Sequence, residues 1–124
     1  VEVIRGICCL KPGVAMYTDN IEVRSIVGRF LEHSRIYCFG EGEDTKIYIS
    51  SADMMTRNTT HRVEIATPIL DEKIADRLTD MLRIMLQDNV KSRLLKPDGT
   101  YIYFENDQQK IDSQMCFYDQ AYNN

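Results

Sequence analysis

Between Asp71 and Asp88, in the run DEKIADRLTDMLRIMLQD, apolar residues recur at three- and four-residue steps: Ile74, Leu78, Met81, Leu82 and Met85. That period predicts a helix with one apolar face, Asp71 as its N-cap and Asn89 as its close. A one-faced helix has to cover something. The segments around it read as short strands, so the expected class is α/β, with α+β as the alternative: a mixed sheet with flanking helices. The methionines on that face read as core filler, not as a cofactor box.

Residues 1–10 are rich in β-branched and apolar side chains and stop at Lys11-Pro12-Gly13, a turn signal. Residues 11–20 read as loop, and 21–26 alternate as a strand should. Two further strands, 35–39 and 46–50, are joined by Gly-Glu-Gly-Glu-Asp, a hairpin loop. Residues 52–58 read as a turn or short helix, and 62–66 as a strand ending at Thr67-Pro68. After the long helix, strands at 91–95 and 100–104 flank Lys-Pro-Asp-Gly, and 111–121 form a last helix. A length of 124 residues predicts a single domain, 1–124. The chain opens in mid-strand without methionine, which predicts a piece of a longer protein.

The net charge of -4 argues against a nucleic-acid binder. The cations are uneven: eight of the 15 Lys/Arg fall in residues 1–62 against eight of the 19 acids. Cys8, Cys9, Cys38 and Cys116 show no C-x-x-C spacing, and with two histidines they argue against zinc. They read as buried thiols of a reducing cytoplasm. No signal peptide is recognised, and no apolar run approaches the roughly 20 residues of a membrane span.

The stretch FLEHSRIYCFGEGEDTKIYISSADMMTRN, residues 30–58, sets His33, Arg35, Ser50, Ser51 and Arg57 around the ends of the hairpin. His33 and Arg35 are two apart and would share a face if both lay on the strand. Arginine, hydroxyls and turn N–H groups suit a phosphate, and a histidine adds a proton carrier near neutral pH. Asp53 and Arg57 could pair, Arg62 and Glu64 read as an ion pair, and Arg24 and Arg29 as solvated. Arg5, interrupting an apolar strand, must be paired or line a cleft. The residues alone thus indicate a phosphate-binding α/β domain, beside the plainer reading of His33 as a structural histidine.

IRGICCLKPG, SIVGRFLEHSRIYCFG, YISSADMMTRN and HRVEIATPILD together closely resemble the C-terminal catalytic domain of bacterial polyphosphate kinases. The match runs from residue 3 to about 95. The resemblance implies reversible transfer of the terminal phosphate of ATP to inorganic polyphosphate through a phosphohistidine on a preceding domain. It also implies Mg²⁺ held by ligands outside this chain, homo-oligomers, and a cytoplasmic enzyme with peripheral membrane association. ATP or ADP, polyphosphate and the remaining domains of the same polypeptide would be the partners.

The family's paired domains resemble the phospholipase D fold, whose half-motif is H-x-K, four residues, Asp, then G-S-x-N. Here Arg35 stands for Lys, Gly40 for Asp, and Ser51 and Asp53 fill the Ser and Asn places. Met54 replaces the usual Trp. By resemblance Arg5 and His33 match ATP-contacting positions, with Arg35 and Ser51 as further phosphate-binding candidates. His33 is then an accessory group and not the phosphohistidine. Two alternatives stay open: a phospholipase D-like phosphodiesterase half with His33 as nucleophile, and a non-catalytic anion-binding module.

Overall fold

In chain order the elements are β1 (Glu2–Ile4), β2 (Glu22–Ile26), β3 (Ile36–Phe39), β4 (Lys46–Ser50), β5 (Ala66–Pro68), α1 (Glu72–Gln87), β6 (Ser92–Leu95), β7 (Tyr101–Tyr103) and α2 (Ser113–Tyr122). The computed structural model describes residues 1–4, 10–53, 55, 58 and 60–124. Arg5, Cys8, Cys9, Met54 and Arg57 lie outside the described residues. The chain divides into two compact units, Val1–Leu31 with Arg83–Asn124, and Glu32–Leu82. The class is the α+β member of the two that the sequence left open. Among the described residues only β1 and β2 run parallel, and every other strand pair is antiparallel.

The first unit holds a mixed four-stranded sheet in the order β1-β2-β6-β7. Its central strand, β2, buries Val23, Arg24 and Ser25 in succession, the pattern of a strand covered on both faces. Arg24 is therefore buried, contrary to the solvated position that its sequence context suggested. Its Nε pairs with Glu22, Nη1 donates to the Leu86 carbonyl at 2.6 Å, and the guanidinium lies 3.9 Å over the Phe104 ring. A buried guanidinium is tolerable only with such partners.

Beyond the last turn of α1, Asp88 is fully buried and accepts five hydrogen bonds. Oδ1 takes the amides of Val90, Lys91 and Ser92 at 2.7–3.0 Å, and Oδ2 takes the amide and hydroxyl of Ser113, both at 2.8 Å. Burial alone would raise its pKa. The bonds from Ser113, Lys91 and Val90 outweigh that and hold the carboxyl below its ordinary value. Asn89 does not close the helix as a left-handed cap: its φ is not positive, and its amide donates to the Ile111 carbonyl at 3.1 Å. Its side chain accepts from the Ile111 amide and donates to Asn106 and to the Gln109 carbonyl. Asp112 caps α2 through the Met115 amide.

The second unit holds the antiparallel sheet β3-β4-β5 and most of α1. β3 and β4 pair Ile36 with Ile49 through Phe39 with Lys46. At the turn between them Gly40 has φ +84°, and a Cβ there would lie 2.7 Å from the Asp44 carbonyl. Glycine is a backbone requirement at that position.

The strand expected at 62–66 is displaced to Ala66–Pro68, with Pro68 opposite Tyr48. The Ile69 amide donates to the Ile47 carbonyl, so by alternation 48/68 is a non-bonded pair and proline sacrifices no ladder bond. Asp71 caps α1, accepting from the Ile74 amide at 3.0 Å. Leu78, Met81 and Leu82 are half-buried, while Ile74 in the first turn is exposed.

Candidate functional site

The hairpin pairing brings Arg35 beside Ser50. The Ser50 amide donates to the Arg35 carbonyl at 3.0 Å, fixing Arg35 beside the Ser50-Ser51 stretch. Arg35 then reaches Asp53 with two prongs, Nε to Oδ1 at 3.1 Å and Nη2 to Oδ2 at 3.5 Å. Asp53 thus pairs with Arg35, and the alternative partner Arg57 lies outside the described residues. Among the described residues Arg62 forms no ion pair with Glu64, which instead accepts the Ser51 hydroxyl. Ser51 Oγ also accepts from the Ile65 amide at 3.1 Å, and Ser50 Oγ donates to the Ile65 carbonyl at 3.0 Å.

The loop after β4 is built around Asp53. Its carbonyl accepts from the Met55 amide at 2.8 Å and from Asn58 Nδ2 at 3.1 Å. Tyr37 donates its hydroxyl to the Ala52 carbonyl at 2.9 Å. Asn58 is buried, and its Oδ1 has no donor among the described residues. Such an atom marks a strained or incompletely satisfied spot.

His33 is exposed and precedes the strand, which begins at Ile36. The expectation that His33 and Arg35 share a strand face therefore fails, because neither lies in regular strand. Their link is through the backbone: Arg35 Nη1 donates to the His33 carbonyl at 3.4 Å. Arg29 is exposed, with its guanidinium 5.9 Å from the Phe30 ring.

Of the four residues singled out in sequence, Arg35 and Ser51 are brought to the same end of the hairpin, both engaged by internal carboxylates. His33 stands at its entrance, open to solvent. Arg5 lies outside the described residues. Asp53 was placed in the half-motif but expected to pair with Arg57, not with Arg35, and Asn58 was not singled out in the sequence. No cluster of three or more His, Cys, Asp or Glu among the described residues could hold a metal ion. The open hollow of the first unit, lined by Val1, Pro12, Asp19, Glu22, Leu94 and Pro97 among others, contains none of the predicted site residues. No helix of the described residues is long and apolar enough to cross a membrane.

The family model described as "Polyphosphate kinase C-terminal domain 2" matches residues 1–114. A polyphosphate kinase of Bacillus cereus is 50% identical over 123 residues, covering 98% of this chain and 18% of that protein. One of Staphylococcus saprophyticus is 56% identical over 112 residues, covering 90% of this chain and 16% of its own length. The crystal structure of polyphosphate kinase from Porphyromonas gingivalis superposes with a TM-score of 0.90 at 38% identity, over 98% of this chain and 19% of that one. The chain thus spans less than a fifth of the length of these relatives.

Proposed function

Because this chain belongs to the polyphosphate kinase C-terminal domain 2 family, we propose that residues 1–124 act as one domain of an enzyme that reversibly moves the terminal phosphate of ATP onto inorganic polyphosphate. The observation that carries this reading is the match across residues 1–114, which includes the whole hairpin with His33 exposed at its entrance. In the forward half-reaction the bond between the γ-phosphorus and ADP oxygen breaks as a bond to a histidine nitrogen forms. That histidine lies outside these 124 residues.

This domain supplies groups to the transferring phosphate. Arg5 places a fixed positive charge against nucleotide phosphate. His33 offers a hydrogen bond or a proton to a phosphate oxygen. Ser51 is a weaker candidate, since its hydroxyl already serves Glu64 and Ile65. Mg²⁺ would be held elsewhere in the polypeptide, and no step is assigned to it. The parent enzyme is read as a cytoplasmic homo-oligomer with peripheral membrane association, and the 124-residue chain alone as inactive.

The test is a full-length enzyme carrying this sequence, labelled with ATP and mapped by peptide. The expected result is phosphate on a histidine other than His33. A His33→Gln variant should turn over slowly while still trapping that phosphate, and His33→Ala should be slower still. Phosphate found on His33 would overturn the accessory role and revive the phosphodiesterase-like alternative.

A further inference from the structure

We propose that Arg35 is a positioning residue for His33, held in place by Asp53 and Asn58, and not a ligand of phosphate. The inference rests on the proposed function, because it concerns how His33 is presented to the reaction. An arginine free to bind phosphate keeps its fork and its charge available. Arg35 keeps neither. The Nε–Nη2 edge is occupied by both oxygens of Asp53, and the pair is neutral as a unit. A phosphate approaching the pair meets a carboxylate beside the guanidinium, and that repulsion offsets part of the attraction.

What remains of the guanidinium turns toward His33. Nη1 lies 3.4 Å from the His33 carbonyl, at the long end of a hydrogen bond. The other end of Arg35 is equally fixed, since its own carbonyl accepts from the Ser50 amide. Asp53 in turn is set by two donors to its carbonyl, the Met55 amide and Asn58 Nδ2, and Asn58 is only 5% exposed. The result is a relay from a buried asparagine through an ion pair to the backbone of an exposed histidine. All of its members lie within residues 32–82, one compact unit. His33 sits in the irregular segment before β3, without ladder bonds of its own, so a side-chain tie is an economical way to define its place.

The two roles make opposite predictions for conservative variants of a full-length enzyme carrying this sequence. Under the positioning role, Arg35→Lys and Asp53→Asn each lower kcat by about tenfold and leave KM for ATP within about twofold, and the double variant is no worse than the weaker single. In a His33→Gln background neither substitution lowers kcat further, because the residue they position is already gone. A merely structural defect would lower kcat in both backgrounds and shift the melting temperature in proportion.

Under a phosphate-binding role, Arg35→Lys raises KM for ATP, Asp53→Asn lowers it by releasing Arg35, and the effects persist without His33. That pattern, or losses that multiply with His33→Gln, would overturn the proposal while leaving the proposed function standing. Normal turnover of His33→Gln itself would overturn the proposal together with the accessory role of His33, and leave the family reading standing. If one conservative variant does not fold, the other decides, since each breaks the same pair.

Discussion

Replacing Asp88 tests whether one buried carboxylate organises the junction of α1, β6 and α2. Asp88→Ala strips the acceptor from five donors: the amides of Val90, Lys91, Ser92 and Ser113 and the Ser113 hydroxyl. Hydrogen bonds to a charged acceptor are worth about 1.5–3 kcal/mol each, but water entering the vacated space recovers part of the loss. The expected cost is about 3–5 kcal/mol, in the range reserved for broken buried networks. Asp88→Asn should cost less, about 1.5–3 kcal/mol. Its amide oxygen can serve the three donors after α1, while its NH₂ faces the Ser113 amide, donor against donor.

The pH dependence separates charge from shape. The folded-state pKa of Asp88 is depressed by its hydrogen bonds despite burial, so on acidification the unfolded chain takes up the proton first. The stabilisation is full above the unfolded value of about 3.9 and is lost as pH falls through the lower folded value. The gap between wild type and Asp88→Asn should be wide at pH 7 and narrow below about pH 4. Urea unfolding of the chain followed by far-UV circular dichroism measures both quantities, with unchanged m-values as the check on two-state behaviour. A loss under about 1 kcal/mol for Asp88→Ala, or a gap to Asp88→Asn that persists in acid, would refute the reasoning.

Two other outcomes are expected. Gly40→Ala should destabilise by about 1–2 kcal/mol in the same assay, since φ is +84° and the new Cβ would press on the Asp44 carbonyl. In a full-length enzyme Arg5→Ala should lose about 2–4 kcal/mol of transition-state stabilisation, read as kcat/KM for ATP. Unchanged kinetics in a well-folded Arg5→Ala protein would remove Arg5 from the site.

Local signals were legible where local physics decides. The apolar period and Asp71 gave α1 and its cap, and Gly-Glu-Gly-Glu-Asp gave the hairpin. Long-range partners were not. Arg24 looks like any alternating polar strand residue until the Leu86 carbonyl and the Phe104 ring meet it, and no sequence window contains all three. Asp88 reads as the tail of a helix because its partner Ser113 is 25 residues away. The strand at 62–66 moved because the Ser51 side chain takes the Ile65 amide, a choice that alternation does not encode.

The site divides in the same way. The quoted motifs located the hairpin and its family. Which charges were already spent became visible only when Arg35 and Asp53 met. Those are two of the positions at which this chain departs from the phospholipase D-like half-motif, Arg for Lys and Asp for Asn. The departures are complementary, and each is intelligible only beside the other.

Pro68 has a consequence for how this sheet meets other molecules. β5 is an edge strand, and at its non-bonded position 68 a backbone N–H would face outward, away from β4. Proline has no hydrogen there. A strand from a second copy aligning along β5 would lose that bond and meet a pyrrolidine ring. The lost bond disfavours sheet growth along an edge where Ile65 and Leu70 are exposed.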